Sequence, residues 1–427
     1  MGVLRQLGRV VIAAVLVALV FVPTSEGEQP RATDEVFGRY RAGVFQIATI
    51  ARASGTRMSL GSGFYVDAEG RAVTNFHVVA QVVHEPDAYL LELHQQGEVP
   101  RPLEVLAVDV VNDLAVVRDA RQPALHLELS EAEPLQGARL YAFGNPLDLG
   151  AAVVEGTFNG RVESSYYEQY HFTGAINSGM SGGPTIDGEG RVIGVNVATL
   201  RRGNLVGFLV PVAHARALLH SAQAQDVPPL LEQVRAQLLA NQEALAEWTL
   251  AHLSTTRLGS YRLPRIDSES MRCWGDRRAR SFETYAKTRH GCSLPPGVFI
   301  SEEHDSGGVA FDHTLLSSSE LNRFQFYTLL EEEFGRGLAA NRADREDVGR
   351  YACHTDFVDR DGLRLKAVLC LRAYRKLPGL YDGVLKVVTL AEDRVGLTSE
   401  LRLSGFAPET VERLTRRFLE EITWAPE

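Results

Sequence analysis

The chain has 427 residues, 45% of them hydrophobic and 23% charged, with a formal net charge of −10. That composition excludes a collagenous or disordered polymer, and the length calls for two or three domains. The acidic balance argues against nucleic acid as a main partner, because phosphates demand a basic face.

At the N-terminus, Arg5 and Arg9 precede an uncharged apolar run from Val10 to Val22, followed by Thr24, Ser25 and Gly27. This is the order of n-region, h-region and cleavage zone in an export signal. The run is shorter than the ~20 residues that a bilayer-spanning helix needs. Residues 1–27 are therefore read as a signal peptide cut before Glu28. The mature chain is expected to be exported, to the periplasm or beyond it, with no stable membrane span.

From Val44 to Leu219 short β-rich runs such as "VFQIATIA", "LAVVRD" and "GARLYAFG" alternate with Gly, Asp and Pro turns. Dense strands with little helical periodicity predict closed antiparallel barrels. A short helix over 211–222 would end this first domain, 33–222. "PPLLEQVRAQLLANQEALAEWTLA" carries Leu230, Leu231, Val234, Leu238, Leu245 and Trp248 at helical spacing behind two prolines. It predicts a connecting helix within 226–252 whose apolar face packs on one domain. Residues 256–427 read as a separate α+β domain, with hairpin-like runs over 351–392 and a closing amphipathic helix, "APETVERLTRRFLEEI".

All four cysteines, Cys273, Cys292, Cys353 and Cys370, fall in this last segment. An even count in an exported chain predicts disulfides. Cys353 and Cys370 flank "FVDRDGLR", and a hairpin turning at Asp361 and Gly362 would set them opposite each other. Cys273 and Cys292 would then form the second bridge. The rival, a metal site of Cys353, His354, His290 and Cys292, fits no common zinc spacing. No metal and no cofactor is expected.

"INSGMSGGPTIDGEGRVIGVN", residues 176–196, sets Ser181 among glycines. A serine hydroxyl becomes a nucleophile only beside a general base that is itself oriented by a third group. His77 in "AVTNFHVVA" follows a strand, although a lone histidine there reads as well as a core residue. In "VDVVNDLAVVRDA", Asp109 suits a turn cap, whereas Asp113 opens an apolar strand and needs a partner.

Taken together, "GSGFYVDAEGRAVTNFHVV", "VDVVNDLAVVR", "AFGNPLDLG" and "AINSGMSGGPTIDGEGRVIGVN" resemble, in order and spacing, the exported HtrA/Deg-type trypsin-like serine peptidases. The likeness covers about residues 40–222. It implies an all-β fold of two six-stranded antiparallel barrels. Ser181 would be the nucleophile, His77 the base, Asp113 its orienting acid, and the N–H groups of Gly179 and Ser181 the oxyanion donors. It also implies a primary pocket at Ala175, Ile176, Val195, Asn196 and Val197. With no acid there, the expected guest is a small-to-medium apolar side chain, although Thr173 and Thr199 leave a glutamyl preference open. Met180 departs from the family's Asn and from the Asp of digestive relatives, and forms no ion pair. Residues 256–427 resemble no PDZ domain. The expected activity is endopeptidase action on proteins or peptides, with an esterase as a weaker option. The alternative is a non-catalytic or latent binding protein that recognises a protein partner through its C-terminal domain.

Overall fold

The computed structural model describes residues 33–197, 207–224, 227–278, 284–294, 297–336, 343–360, 362–390 and 394–425. The expected signal peptide, Thr199 and the turn residue Asp361 lie outside them. Helix α1 (Thr33–Tyr40) leads into β1 (Val44–Ala51), β2 (Arg57–Tyr65) and β3 (Arg71–Thr74). Helix α2 (Phe76–His84) follows, then β4 (Tyr89–His94), β5 (Arg101–Pro102), β6 (Glu104–Asp109) and β7 (Leu114–Arg118). These strands form one antiparallel sheet in the order β5-β4-β1-β2-β3-β7-β6.

This corrects the expected first barrel, which is an open seven-stranded sheet rather than a closed six-stranded one. Its two edges, β5 and β6, are consecutive in the chain and separated by Leu103 alone. Pro102 has no N–H to give a ladder, and the Leu103 N–H goes back to Leu91 at 2.9 Å. The closing strand thus breaks into two pieces that serve opposite edges. A buried ion pair between Arg101 and Asp119, 2.8 Å, ties the β5 edge to the chain just after β7.

Helix α2 was not anticipated. Its four valines favour strand, yet Phe76, Val79, Ala80 and Val83 recur at i, i+3, i+4 and i+7 and are all buried. That periodicity is helical, and tertiary burial overrides the propensity.

The second system is a closed barrel. Strands β8 (Arg139–Gly144), β9 (Ala152–Arg161), β10 (Tyr170–Thr173), β11 (Pro184–Ile186), β12 (Val192–Val197) and β13 (Gly207–Pro211) close in the order β10-β13-β12-β11-β8-β9. Helix α3 (Val212–Ser221) follows where a short helix was expected.

Helix α4 (Leu230–Ala251) differs from a linker packing on one domain. Val234 and Leu238 join a core with Ile47, Val108, Val298 and Ile300. Leu245 and Ala246 belong to another core with Phe311 and Leu401. Gln237 donates to Val108 O at 2.7 Å and accepts from Val110 N at 2.8 Å. The helix is a shared core element of both regions.

Beyond it, β14 (Leu253–Leu258) and β15 (Tyr261–Ile266) pair in a small sheet. Strands β16 (Arg272–Arg278), β17 (Ala286–Ser293), β18 (Val298–Ser301), β19 (His304–Ser306) and β20 (Gly308–Ser317) precede helix α5 (Arg323–Gly335). Then come β21 (Ala352–Arg360), β22 (Leu363–Ala373), β23 (Tyr381–Thr389), β24 (Val395–Phe406), helix α6 (Pro408–Glu420) and β25 (Thr423–Trp424), which adds to β15. The large antiparallel sheet runs β16-β17-β20-β24-β23-β22-β21, and β18 and β19 form a separate hairpin.

Both disulfides form as paired in the sequence, Cys273–Cys292 and Cys353–Cys370, each between directly opposed residues with Cα atoms 4.0 Å apart. Each fastens an edge strand, β16 or β21, to its neighbour. These edges bury little, since every residue of β16 is exposed, so the covalent link supplies what packing does not. Because Cys292 and Cys353 belong to different bridges, the rival metal set is not assembled. No helix among the described residues is long and apolar enough to cross a membrane.

Candidate active site

The candidate site lies where the open sheet meets the barrel. His77 sits in the first turn of α2, two residues after the helix begins to leave β3 at Asn75. Asp113 stands in the turn before β7 with φ of 55°, a left-handed backbone that aspartate tolerates better than most residues. Asn75 holds it there, donating from Nδ2 to the Asp113 carbonyl at 2.8 Å. The Asp113 carboxylate then takes two bonds from His77: Oδ1 accepts the backbone N–H at 2.9 Å, and Oδ2 lies 2.7 Å from ring Nδ1. That clamp fixes the ring and engages Nδ1, so that Nε2 is the nitrogen not taken by Asp113. Burial pulls the His77 pKa down, but the charge and hydrogen bond of Asp113 outweigh it and raise the value above the ordinary 6.5. Asp109 is a turn cap, accepting from Asn112 N at 3.0 Å.

Ser181 lies on the loop before β11, 4% exposed. Gly179 and Gly182, with φ of 90° and 82°, turn the chain on either side of it. A Cβ on Gly182 would lie 2.2 Å from Thr74 Oγ1 and 2.3 Å from Ser62 O. The glycine therefore lets the Ser181 loop press against the segment that carries His77.

Ser62 of β2 is a residue the sequence reading missed. Its N–H donates to Ser181 O at 2.7 Å, and its hydroxyl donates to Gly179 O at 2.7 Å and accepts from Asn145 N at 3.0 Å. Its own carbonyl accepts from Thr74 Oγ1 at 2.7 Å. One serine thus ties the Ser181 loop to both the β8 end and the strand before His77. The signal was present in "GSGF", a polar residue between glycines in the buried half of β2.

Met180 is fully buried among Leu140, Phe158, Phe172 and Leu209 in the barrel core. This apolar anchor orders the loop without an ion pair. The Met180 N–H donates to Asn177 O at 3.0 Å.

Of the expected pocket residues, Ala175, Ile176 and Val197 are partly exposed. Val195 and Asn196 are fully buried, and their side chains turn inward. Val195 packs with Phe143 and Val210 in the core between the two β systems. Asn196 Nδ2 donates to Phe143 O at 2.7 Å and Met180 O at 3.3 Å, and Oδ1 accepts from Thr185 Oγ1 at 2.5 Å. The Asn196 side chain is a brace of the loop rather than a substrate contact. Thr173 is exposed.

One neighbour comes from the C-terminal region: the Phe299 ring lies 5.7 Å from that of His77, edge to face. Among the described residues, Cys273, His290 and Cys292 form the one cluster close enough for a metal, and both sulfurs are spent in the disulfide.

Residues 61–195 match the trypsin-like peptidase domain, so the chain carries such a domain, similar to those of HtrA/DegP-type proteins. Over 171 residues it is 30% identical to the protein named "Probable periplasmic serine endoprotease DegP-like" of Bartonella henselae, covering 38% of this chain and 33% of that one. Over 218 residues it is 29% identical to the mitochondrial serine protease HTRA2 of Bos taurus, covering 48% and 46%. A solved serine endoprotease from Yersinia pestis matches at 24% identity and a TM-score of 0.39, covering 46% and 68%. The chain spans about a third of the length of the first curated relative.

Proposed function

We propose that the protein is a serine endopeptidase acting through Ser181, His77 and Asp113 by way of an acyl-enzyme. The observation that carries this reading is the pair of hydrogen bonds that the Asp113 carboxylate accepts from His77, beside the glycine-turned loop of Ser181. His77 Nε2 takes the Ser181 proton as Oγ attacks the scissile carbonyl, then returns it to the leaving amine. The N–H groups of Gly179 and Ser181 stabilise the oxyanion, each worth ~3 kcal/mol. Ala175, Ile176 and Val197 receive a small-to-medium apolar P1 side chain. The DegP-like relatives and the expected signal peptide favour export to the periplasm. The triad-bearing part acts as a peptidase domain over 33–222, and 256–427 as a second domain that shares α4 with it.

Intact-mass analysis after a fluorophosphonate probe tests this, with Ser181→Ala beside the wild type. An adduct on the wild type alone supports the triad. Its absence favours the latent reading, for which the Phe299 contact with His77 speaks, and Phe299→Ala would then release labelling.

A further inference from the structure

Helix α2 and the C-terminal region meet over a cavity of about 230 Å³. One wall is α2 itself, from His77 through Ala80, Gln81 and His84; the facing wall includes Phe299 and His304 of the β18–β19 hairpin. Ala175, Ile176 and Val197 take no part in it. The cavity is therefore a subsite distinct from the primary pocket, reached from the histidine side of the nucleophile.

Its lining is acidic. Glu85, Glu302, Glu303, Asp344, Glu346 and Asp347 face a single lysine, Lys376. That lysine is already shared between Glu85 at 2.7 Å and Asp347 at 3.0 Å. Glu302, Glu303, Asp344 and Glu346 have no ion pair among the described residues, so their charge is uncompensated.

A second observation is independent of the charge. His304 is 2% exposed, and neither of its ring nitrogens has a hydrogen-bond partner. Its ring is held edge-on to Tyr374 at 4.3 Å. Across the cavity His84 Nε2 meets Ile300 O at 3.1 Å, while Nδ1 is also unpartnered. A buried polar group left unsatisfied is costly and calls for a partner. Burial lowers the pKa of both histidines, so near neutral pH each is uncharged and accepts a hydrogen bond without repelling a cation.

We propose that this cavity binds a lysine or arginine side chain of the substrate, within three residues of the scissile bond. Glu302 and Glu303 attract the charge, and the unprotonated one of the two unpartnered His304 nitrogens accepts from the ammonium or guanidinium. The proposal rests on His77 being the catalytic base, which places the cavity beside the reacting bond. It assigns the C-terminal region a share in substrate selection.

The test is equilibrium binding to full-length Ser181→Ala protein, which leaves peptides intact. Fluorescein-labelled, alanine-rich peptides carry one leucine and, one to three residues to either side, a lysine, norleucine or glutamate. Fluorescence anisotropy is expected to show lysine at least tenfold tighter than norleucine at one spacing, with glutamate weakest. Adding Glu302→Gln and Glu303→Gln, both exposed positions, should bring the lysine-to-norleucine ratio within twofold of one. His304→Phe, which keeps an aromatic ring beside Tyr374, should also reduce the ratio. Absence of lysine-dependent binding at every spacing, or a preference that survives both sets of changes, overturns the proposal. Because binding needs no turnover, this failure is distinct from failure of the triad, which the fluorophosphonate experiment reads.

Discussion

Asn196→Ala separates a brace from a substrate contact. The side chain is fully buried and its amide spans three groups: the carbonyls of Phe143 and Met180 and the hydroxyl of Thr185. Met180 O keeps a second donor, Gly183 N at 3.1 Å, so the Phe143 carbonyl and the Thr185 hydroxyl bear most of the loss. A buried group stripped of its partner costs about 1–3 kcal/mol, which gives roughly 2–6 kcal/mol for the pair. At about 2–4 °C per kcal/mol for a domain of this size, Tm should fall by roughly 5–20 °C. The same change frees the carbonyl side of Met180, between the two proposed oxyanion donors. Losing one such donor outright costs 10²–10³ in kcat, so a loosened loop should cost about 100-fold. KM should stay within about threefold, since the side chain never meets solvent. Differential scanning calorimetry and steady-state kinetics on an apolar-P1 peptide measure the three quantities. A rise in KM with unchanged Tm and kcat would restore Asn196 to the pocket and refute the brace.

Replacing Asp113 by Asn removes the charge that keeps the His77 pKa above 6.5. Wild-type kcat/KM should therefore rise with pH through a midpoint above 6.5, as His77 loses its proton. The variant should lose about 10⁴-fold in rate with its midpoint lowered, and an unmoved midpoint would contradict the assignment. Gly182→Ala drives a methyl into Thr74 Oγ1 and Ser62 O from a φ of 82°; fluorophosphonate labelling should fall at least tenfold, and full labelling would show that the loop gives way freely. His313 is buried between Ser399 Oγ and Pro264 O, each 2.8 Å away, and burial depresses its pKa to about 4. Being depressed, it contributes stability present above 6.5 and lost as pH falls towards 4, about 3 kcal/mol from that gap. Denaturant melts at pH 7 and pH 4 should differ by that much more in the wild type than in His313→Gln.

The proposed triad was legible in the sequence because each member lies in a short motif whose local structure places it: Asn75, just before α2, ties the His77 turn to the Asp113 carbonyl, and the glycines turn the loop of Ser181. The cysteine pairs were equally legible, since the midpoint of 353 and 370 marks a hairpin and opposed residues follow from it. Ser62, Asn196 and the Phe299 contact were hidden for a common reason. Each acts on residues from 11 to more than 200 positions away, and side-chain pairing at that range leaves no spacing to read. The first barrel failed differently, through one proline and one leucine that break its closing strand.

Whether a peptidase unit can stand apart from the C-terminal region turns on the core that the two share. A peptidase unit of 33–222 would leave behind Val234 and Leu238 of α4, Val298 and Ile300 of the hairpin, and Leu377 and Leu380, all at most 4% exposed and all in one core with Phe76, Val79 and Val108. Burial of a large aliphatic side chain is worth about 1.5–3 kcal/mol, so six of them contribute roughly 9–18 kcal/mol to the joint structure. That matches or exceeds the 5–15 kcal/mol by which a whole domain is stable. A chain ending at residue 222 should therefore aggregate or melt without cooperativity. One ending at 252 should recover part of the loss through α4, while the hairpin side of α2 stays uncovered. Expression of both truncations with circular-dichroism melts decides the matter. A cooperative melt above about 50 °C for 33–222, with Ser181 still labelled by fluorophosphonate, would mean that the C-terminal region merely docks on a finished peptidase. A non-cooperative melt would mean that it completes the core beneath His77.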